Sequence, residues 1–243
     1  MTVKPRDRLV QRQFESSILG NSRKVWIQSS RSDARPQGAL LFLDAEHYLD
    51  DIGAAKIVDE LQQDAGLAGL LPVYVSHVDY PTRWRESFCN PDFGKFLCEE
   101  LLPWLSEEFN VDRELPHALV GLSLTGLAAA HAGLQHPAIL SRVLCQSGSF
   151  WWQDSWLIGE VLRLPASETA ISLSVGLRET DENVDHGDGL FQKESQLSAN
   201  RRLRDALTSK GYRNSYREFD GGHDIVSFRQ DLPEVLRQLP RLA

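Results

Sequence analysis

The sequence predicts an α/β fold with a mostly parallel central sheet and helices on both faces. Short apolar runs alternate with longer segments of helical spacing along the chain, an order typical of parallel strands joined by crossover helices. The run Ala39-Leu40-Leu41-Phe42-Leu43 is apolar at every position, which indicates a strand buried on both faces. An apolar run, Gly-x-Ser and an alanine-rich segment follow one another at 118–130, which favours the α/β-hydrolase arrangement.

Composition narrows the class of protein further. The chain has 243 residues, of which 42% are hydrophobic, so we predict one α/β domain over residues 1–243. A net charge of −8 without a basic block argues against nucleic acid and membrane surfaces as partners. The cysteines at 89, 98 and 145 show no metal-ligand spacing. We therefore expect reduced thiols in a cytoplasmic protein that needs no metal or cofactor.

The first half of the chain is predicted to begin with a hairpin. Its elements, in order, are a hairpin at 9–28, a polar loop at 29–38, a strand at 39–43, a helix at 51–64 and a strand at 72–78. Residues 79–92, rich in arginine and aromatic side chains, are expected to form a long loop. An amphipathic helix at 93–109 follows, and we predict a bend at Pro103 because proline has no N–H to donate.

The second half continues the alternation. Its predicted elements are a strand and helix at 118–130, a strand at 142–147, a loop with Trp151, Trp152 and Trp156, a strand at 170–176, an acidic loop at 177–189, a helix at 190–209, a strand at 214–219 and a helix at 225–239. Gly211 is expected to end the helix before the last strand, since glycine accepts the left-handed backbone found there.

The Gly-x-Ser motif predicts that Ser123 is a nucleophile. A serine between a strand and a helix occupies a strained turn that needs small neighbours. Gly121 meets this need, whereas Thr125 stands where glycine is usual and Gly126 comes one place late. The motif is therefore imperfect.

A serine nucleophile needs a histidine base and an orienting acid. His223 follows a glycine pair just past the last predicted strand, and we predict that it is the base. Glu179 is the first choice for the acid, because it lies soon after a strand and keeps the chain order of serine, acid and histidine. Asp181 is the main alternative, and Asp185, Asp188 or no acid at all are the others.

The oxyanion formed when a serine attacks a carbonyl carbon needs backbone N–H donors. In this arrangement one donor belongs to the residue after the nucleophile, here Leu124. We expect the other from the loop after the strand at 39–43, where Ala45 or Glu46 supplies it.

Several segments together resemble the enterobactin (enterochelin) esterases, which are esterase-D-like α/β-hydrolases. The likeness covers most of the chain. It rests on the hairpin at 19–27, the Arg-x-x-Glu loop with Cys-Asn-x-Asp-Phe at 83–93, Glu-Glu-Leu-Leu-Pro at 99–103, Gln-Ser-Gly-Ser-Phe-Trp-Trp at 146–152 and Gly-Gly-His-Asp at 221–224.

The resemblance implies a serine esterase that opens the ester bonds of catecholate siderophores, in the apo or ferric form. It implies Ser123 as nucleophile, His223 as base and Glu179 as acid, and it places Arg83 where such enzymes hold the anionic catecholate. Thr125, Ala45 and Phe228 depart from the family pattern, which has two glycines and a tryptophan there. We expect no counterpart of the family's separate N-terminal β-rich domain.

Three functions stay open on these grounds. The first is a siderophore esterase whose rim of Arg83, Arg85, Trp151 and Trp152 binds anionic aromatic rings. The second is a general carboxylesterase or acyltransferase, and the third is an inactive binding protein whose elbow is distorted by Thr125. If the rim is structural, the tryptophans belong to the core, and Arg83 pairs with Glu86 to stiffen its loop.

Overall fold

The computed structural model describes residues 8–29, 35–62, 67–187 and 189–239. Its strands are β1 (Leu9–Ser16), β2 (Asn21–Gln28), β3 (Gly38–Leu43), β4 (Leu70–Val75), β5 (Ala118–Leu122), β6 (Arg142–Gln146), β7 (Ala170–Gly176), β8 (Val184–Asp185), β9 (Phe191–Gln192) and β10 (Asn214–Phe219). Eight of them form one sheet in the order β1-β2-β4-β3-β5-β6-β7-β10. Strands β1, β2 and β4 pair antiparallel, whereas the pairings from β4 to β10 are parallel. The predicted fold class is confirmed.

Helices cover both faces of this sheet. They are α1 (Ala54–Leu61), α2 (Tyr80–Ser87), α3 (Pro91–Lys95), α4 (Leu102–Phe109), α5 (Ser123–Gln135), α6 (Trp152–Arg163), α7 (Gln196–Ser209) and α8 (Ile225–Leu236), with π-helical turns at His47–Ile52 and Phe96–Leu101. Helices α1 and α8 pack on one face, and α3 to α7 pack on the other. Strand β3 divides the two cores, since Leu40 and Phe42 face α1 and α8 while Leu41 and Leu43 face the opposite layer.

The predicted hairpin, the buried strand at 39–43 and the strand at 170–176 are all present. The long loop predicted at 79–92 is wrong, because this segment forms α2 and α3. Each of these helices has a local cap: Asp79 accepts the N–H of Thr82, and Asn90 accepts the N–H of Asp92. Capping residues followed by proline in the first turn favour helix starts even where apolar periodicity is weak.

Other boundaries also differ from the prediction. Residues 151–156 are not a loop, since α6 begins at Trp152, although Gln153, Asp154 and Ser155 have positive φ in its first turn. The helix predicted from residue 190 begins at Gln196, behind the capping side chain of Ser195. Residues 93–109 are helical as predicted, with the widened π-helical turn ending just before Pro103. A widened turn there accommodates a residue that donates no backbone hydrogen bond.

The parallel strands bring their carboxyl ends to a single edge of the sheet. Asp44 follows β3, Ser123 follows β5, Ser147 follows β6 and Glu179 follows β7 by three residues. The loop after β10 carries His223 to the same edge. Open α/β sheets place their functional sites at this edge, so the topology gathers polar residues from distant parts of the sequence.

Gly121 provides a test of the tight connection between β5 and α5. A Cβ at this position would lie 2.2 Å from the backbone oxygen of Thr125, so we expect Gly121→Ala to lower the free energy of unfolding by about 3 kcal/mol or more. Gly159 in α6 is the matched control, because a Cβ there has no neighbour within 4 Å. Gly159→Ala should raise stability by about 0.5–1 kcal/mol. Urea unfolding measures both, and equal effects would contradict the tight turn.

Candidate active site

Ser123 lies at the point where β5 turns sharply into α5. Its φ of 51° is in the left-handed region, which costs energy for a residue with a side chain and is found in strained functional turns. A Cβ on Gly126 would lie 3.0 Å from the Cα of Gly148. The glycine that comes one place late in the motif therefore permits close approach between α5 and the loop after β6.

Thr125 fits this turn without displacing the serine. Its side chain is buried, and its hydroxyl accepts the backbone N–H of Leu122 at 3.2 Å. The hydroxyl proton has three acceptors within reach, Leu122 O at 3.0 Å, Asp44 Oδ2 at 3.2 Å and Leu43 O at 3.4 Å. The departure from glycine thus adds hydrogen bonds to the elbow.

A chain of hydrogen bonds joins Ser123, His223 and Glu179. The Oγ of Ser123 lies 2.9 Å from Nε2 of His223. The Nδ1 of His223 lies 2.6 Å from Oε2 of Glu179. Because an ionised carboxylate only accepts hydrogen bonds, this geometry assigns the ring proton to Nδ1 and leaves Nε2 to accept from the serine. The ring of Phe228 meets the imidazole edge to face at 5.2 Å.

The carboxylate of Glu179 is buried and held from both sides. Its second oxygen, Oε1, accepts hydrogen bonds from Ser147 Oγ at 2.6 Å and from the backbone N–H of Gly176 at 2.7 Å. A Cβ on Gly176 would lie 2.8 Å from this same oxygen, so glycine is needed here. These contacts fix the orientation of the carboxylate toward His223.

The other acidic residues that the sequence offered make no described contact with the imidazole of His223. The side chain of Asp181 is exposed, and its backbone carbonyl accepts a hydrogen bond from Gln192. The carboxylate of Asp185 accepts the backbone N–H of Gly187, and Asp188 lies outside the described residues. The structure therefore brings Glu179 to the histidine, as the first choice from the sequence predicts.

The two expected oxyanion donors begin helices at the same edge of the sheet. Leu124 lies in the first turn of α5. Ala45 directly follows Asp44, whose carbonyl accepts the N–H of Tyr48 and so starts a helical turn. The first N–H groups of a helix have no acceptor within it, so both N–H groups are available to a ligand, and their role as oxyanion donors stays a prediction. Glu46, the alternative, lies in the same turn.

A cleft of about 170 Å³ opens beside Ser123 and His223. Its lining residues are Ser123, Ser149, Trp151, Glu179, Asp181, Val184, His186, Gln192, Gln196 and His223. On the wall, the ring of His186 stacks on Trp151 at 5.1 Å, and the indole N–H of Trp151 donates to Gln196 at 2.5 Å. A cavity of about 150 Å³ holds one benzene ring, so this cleft accommodates one aryl or acyl group.

Two of the three predicted substrate-binding residues do not line the cleft. The guanidinium of Arg83 is buried against Asp44, with Nε 2.9 Å from both carboxylate oxygens and Nη2 2.6 Å from Oδ2. Trp152 stacks on Phe88 at 5.0 Å, and only Trp151 faces the cleft. The predicted contact between Arg83 and a substrate is therefore not supported.

The structural alternative for the rim also needs correction. Arg83 pairs with Asp44, whereas Glu86 pairs with Arg23 at 2.8 Å. Arg85 is exposed and donates to the hydroxyl of Thr82. An arginine in a chain rich in carboxylates has several possible partners, and only the tertiary structure, which brings α2 to Asp44 at the end of β3, selects one.

Sequence reasoning missed several polar residues at the site. Ser149 Oγ lies 3.4 Å from Ser123 Oγ, and Gln196 donates to the carbonyl of Ser147. Ser147 directly follows β6 and Ser149 comes two residues later, and polar residues at the end of a buried parallel strand were the available signal. His186 and Gln196 had no comparable signal. His186 lies between β8 and β9, and Gln196 begins α7, so neither follows a strand of the main sheet.

A second polar cluster lies beside the elbow. Nδ1 of His77 lies 3.3 Å from Asp44 Oδ1 and 3.1 Å from Glu46 Oε2. Burial raises the pKa of Asp44, but the close pairing with His77 and the charge and hydrogen bonds of Arg83 outweigh it and bring this pKa to about 2. The close pairing with the carboxylates of Asp44 and Glu46 raises the pKa of His77 to about 9. Both side chains are therefore charged near neutral pH.

The fold and the hydrogen-bonded serine, histidine and glutamate define this chain as a protein of the α/β-hydrolase class. The chain belongs to the Esterase family, described as putative esterases, whose model matches residues 16–239. No helix within the described residues is long and apolar enough to cross a lipid bilayer.

Similar proteins include the iron(III) enterobactin esterase of Dickeya dadantii, 28% identical over 240 residues that make up 96% of this chain and 55% of that protein. The iron(III) enterobactin esterase of Escherichia coli K12 is 29% identical over 93% of this chain and 56% of its own length. The chain thus spans about half the length of the curated relatives it matches.

Solved structures show the same likeness. The enterobactin esterase from Shigella flexneri, crystallised in the presence of enterobactin, superposes with a TM-score of 0.81 at 27% identity over 95% of this chain and 58% of that one. A ferulic acid esterase superposes with a TM-score of 0.72 at 17% identity over 96% of this chain and 98% of that one. At that lower identity the likeness extends to the fold alone.

The raised pKa of His77 predicts a pH dependence of stability. A group whose pKa is raised on folding stabilises the fold fully below its unfolded value, about 6.5 for histidine. This stabilisation is lost as the pH rises through about 9. We expect the free energy of unfolding of the wild type to fall more steeply between these pH values than that of His77→Gln. Parallel curves in urea titrations would contradict the charged cluster.

Proposed function

We propose that the protein is a serine esterase that hydrolyses carboxylic ester bonds through an acyl-enzyme. The observation that supports this most directly is the unbroken hydrogen-bond chain from Ser123 through His223 to Glu179. A serine hydroxyl becomes nucleophilic when a histidine in the correct tautomer takes its proton. The open cleft beside these groups gives an ester access to the hydroxyl.

Each of the three groups has a distinct part in the proposed reaction. Ser123 Oγ attacks the carbonyl carbon of the ester while its proton passes to Nε2 of His223. Glu179 keeps the imidazole in position and stabilises its positive charge. The protonated histidine then gives its proton to the leaving alcohol, and a water molecule, deprotonated by the same nitrogen, hydrolyses the acyl-enzyme and frees Ser123.

The negative charge that develops on the carbonyl oxygen needs donors that are already in place. We assign this role to the backbone N–H groups of Leu124 and Ala45, which begin helices at the edge of the sheet where Ser123 lies. Preorganised donors of this kind stabilise the transition state more than the ground state.

We infer that the substrate is a small-molecule ester of the catecholate-siderophore type, similar to enterobactin and in the apo or ferric form. Two relatives named iron(III) enterobactin esterases, each 28–29% identical over at least 93% of this chain, support this inference. The cleft accommodates one aryl group at a time, and Trp151 with its stacked partner His186 offers it an aromatic wall. A cytoplasmic location belongs to this proposal.

A general carboxylesterase or acyltransferase is the second candidate. The cleft lining includes Glu179 and Asp181 but neither lysine nor arginine among the described residues. Such a lining suits a neutral ester better than an anionic catecholate, because like charges repel. The inactive binding protein has less support, because Thr125 leaves Ser123 in contact with His223.

The nucleophile is tested with Ser123→Ala. We expect the variant to stay folded and to lose about 10⁴- to 10⁶-fold in turnover, as is typical when a catalytic serine is removed. Wild type and variant are compared on ferric enterobactin, apo enterobactin and p-nitrophenyl butyrate, with labelling by a fluorophosphonate as an independent readout. A variant that keeps a tenth of the wild-type rate would place the nucleophile elsewhere. Wild-type hydrolysis of the butyrate alone would favour the general carboxylesterase.

The acid is tested by comparing Glu179→Gln with Asp181→Asn. Because Glu179 accepts the imidazole N–H, its amide should lower turnover by about 10²- to 10⁴-fold, less than His223→Ala does. Asp181 lines the same cleft without reaching the imidazole, so Asp181→Asn should stay within about threefold of the wild type, since it removes no transition-state contact. The reverse order in steady-state kinetics would move the role to Asp181.

A further inference from the structure

We propose that Asp44 is a positioning residue that holds the loop of one oxyanion donor against the nucleophile elbow. The inference rests on the proposed esterase function, since it concerns the geometry of the two backbone donors. Asp44 immediately precedes Ala45, and Thr125 immediately follows Leu124. A hydrogen bond of 3.2 Å joins Asp44 Oδ2 to Thr125 Oγ1. We call this contact the Asp44–Thr125 link.

The link is tied to the backbone at both of its ends. Thr125 Oγ1 accepts the N–H of Leu122 at 3.2 Å and lies 3.0 Å from the carbonyl of the same residue. Asp44 has a φ of 73°, and its carbonyl accepts the N–H of Tyr48. A residue with a side chain keeps a positive φ only where its surroundings hold it there. The side chain of Asp44 supplies such a restraint.

The carboxylate of Asp44 has no freedom to turn. Arg83 contacts both of its oxygens, and His77 lies 3.3 Å from Oδ1. The space beside this cluster, which Arg23 and Glu86 also line, is about 10 Å³, which is about the room that one water molecule needs. Bidentate pairing by a guanidinium fixes the plane of a carboxylate as well as its position. Arg83 therefore fixes the position of the Asp44 carboxylate oxygen that accepts the hydrogen bond from Thr125.

A structural role alone explains this cluster poorly. Burying charges costs free energy, and well-packed apolar residues often stabilise a core as much as a buried ion pair does. The same helix, α2, carries Glu86, which forms a second buried pair with Arg23; this pair lines the same small space but makes no hydrogen bond or ion pair with Asp44 or Thr125 among the described residues. The two buried ion pairs thus have similar chemistry, but only the pair of Arg83 and Asp44 forms a hydrogen bond with the elbow.

Thr125 is the residue that makes the link possible. Glycine at this position, the usual residue in such a turn, has no hydroxyl to offer Asp44. Gly126 takes the close approach to Gly148 instead. Because the glycine stands at 126 and not at 125, position 125 carries a side chain that forms hydrogen bonds. The donors of Ala45 and Leu124 then keep a fixed separation, as preorganised transition-state stabilisation requires.

The link is tested with Thr125→Val, which preserves shape and removes the hydroxyl, and with Thr125→Ser, which restores it. Hydrolysis of p-nitrophenyl butyrate supplies kcat and KM. Butylboronic acid supplies a second readout, because its tetrahedral adduct with Ser123 places an oxygen at the oxyanion position. For Thr125→Val we expect kcat to fall about tenfold, KM to stay within about twofold and the inhibition constant to rise about tenfold. Thr125→Ser should stay within about threefold of the wild type by the same reasoning.

Glu86→Gln is the matched control, since it removes one partner of the neighbouring buried pair. It should lower the melting temperature and leave kcat and boronate inhibition unchanged. A Thr125→Val variant with the wild-type kcat would overturn the inference. The inference would also be overturned if Glu86→Gln, at the same melting temperature as Thr125→Val, lost the same factor in kcat. If Thr125→Val does not fold, Arg83→Lys decides, because it keeps the charge and removes the bidentate contact. Unchanged kcat in that variant would also overturn it.

The same measurements separate this inference from the proposed function. A wild type that hydrolyses neither p-nitrophenyl butyrate nor enterobactin would refute the esterase function itself. Arg83→Lys should reduce the hydrolysis of both esters by the same factor, because the guanidinium acts through Asp44. A loss confined to enterobactin would instead indicate that Arg83 contacts the substrate, and would overturn the positioning role.

Discussion

The left-handed backbone of Ser123 is the constraint on which the rest of the site depends. Its φ of 51° is unfavourable for a residue with a side chain, so the surrounding structure must hold it. Gly121 leaves room for the backbone of Thr125, and Gly126 leaves room for Gly148. The parallel sheet then supplies the framework, because β5 lies between β3 and β6 near its centre.

Two buried carboxylates at the edge of the sheet serve this turn in different ways. Glu179 faces His223 and is held by Ser147 and Gly176. Asp44 faces Arg83, His77 and Thr125, and it makes no contact with His223 among the described residues. Fully satisfied buried polar groups are rigid, because every alternative orientation leaves a donor or acceptor unpaired. One acid orients the proposed base, and we propose that the other orients the oxyanion loop.

The three departures from the family pattern are each accommodated locally. Thr125 contributes hydrogen bonds to the elbow, and Ala45 is fully buried at the start of its helical turn. Phe228 packs its ring edge to face with the imidazole of His223. None of them separates the serine, histidine and glutamate. We therefore expect differences from the relatives to lie in the cleft wall and its loops, where substrates are selected.

Local sequence was enough to predict the parallel sheet and the elbow, and it selected Ser123, His223 and Glu179, which the structure brings within hydrogen-bond distance of one another. Buried strands and strained turns limit which residues occur at each position, so their patterns are visible in the chain itself. The helices at 80–95 were missed because their evidence is a pair of caps rather than an apolar period. Capping alone is a weak signal in a polar segment.

Only the tertiary structure decided which side chains meet. Arg83 had Glu86 and an anionic substrate as plausible partners, and the packing of α2 gave it Asp44 instead. Trp151 and Trp152 are adjacent in sequence. At the start of α6, however, Trp151 lines the cleft whereas Trp152 stacks on Phe88. Such pairings depend on distances of a few ångströms between elements far apart in the chain. A one-dimensional pattern records which residues are present, whereas packing determines which of them are close enough to bond.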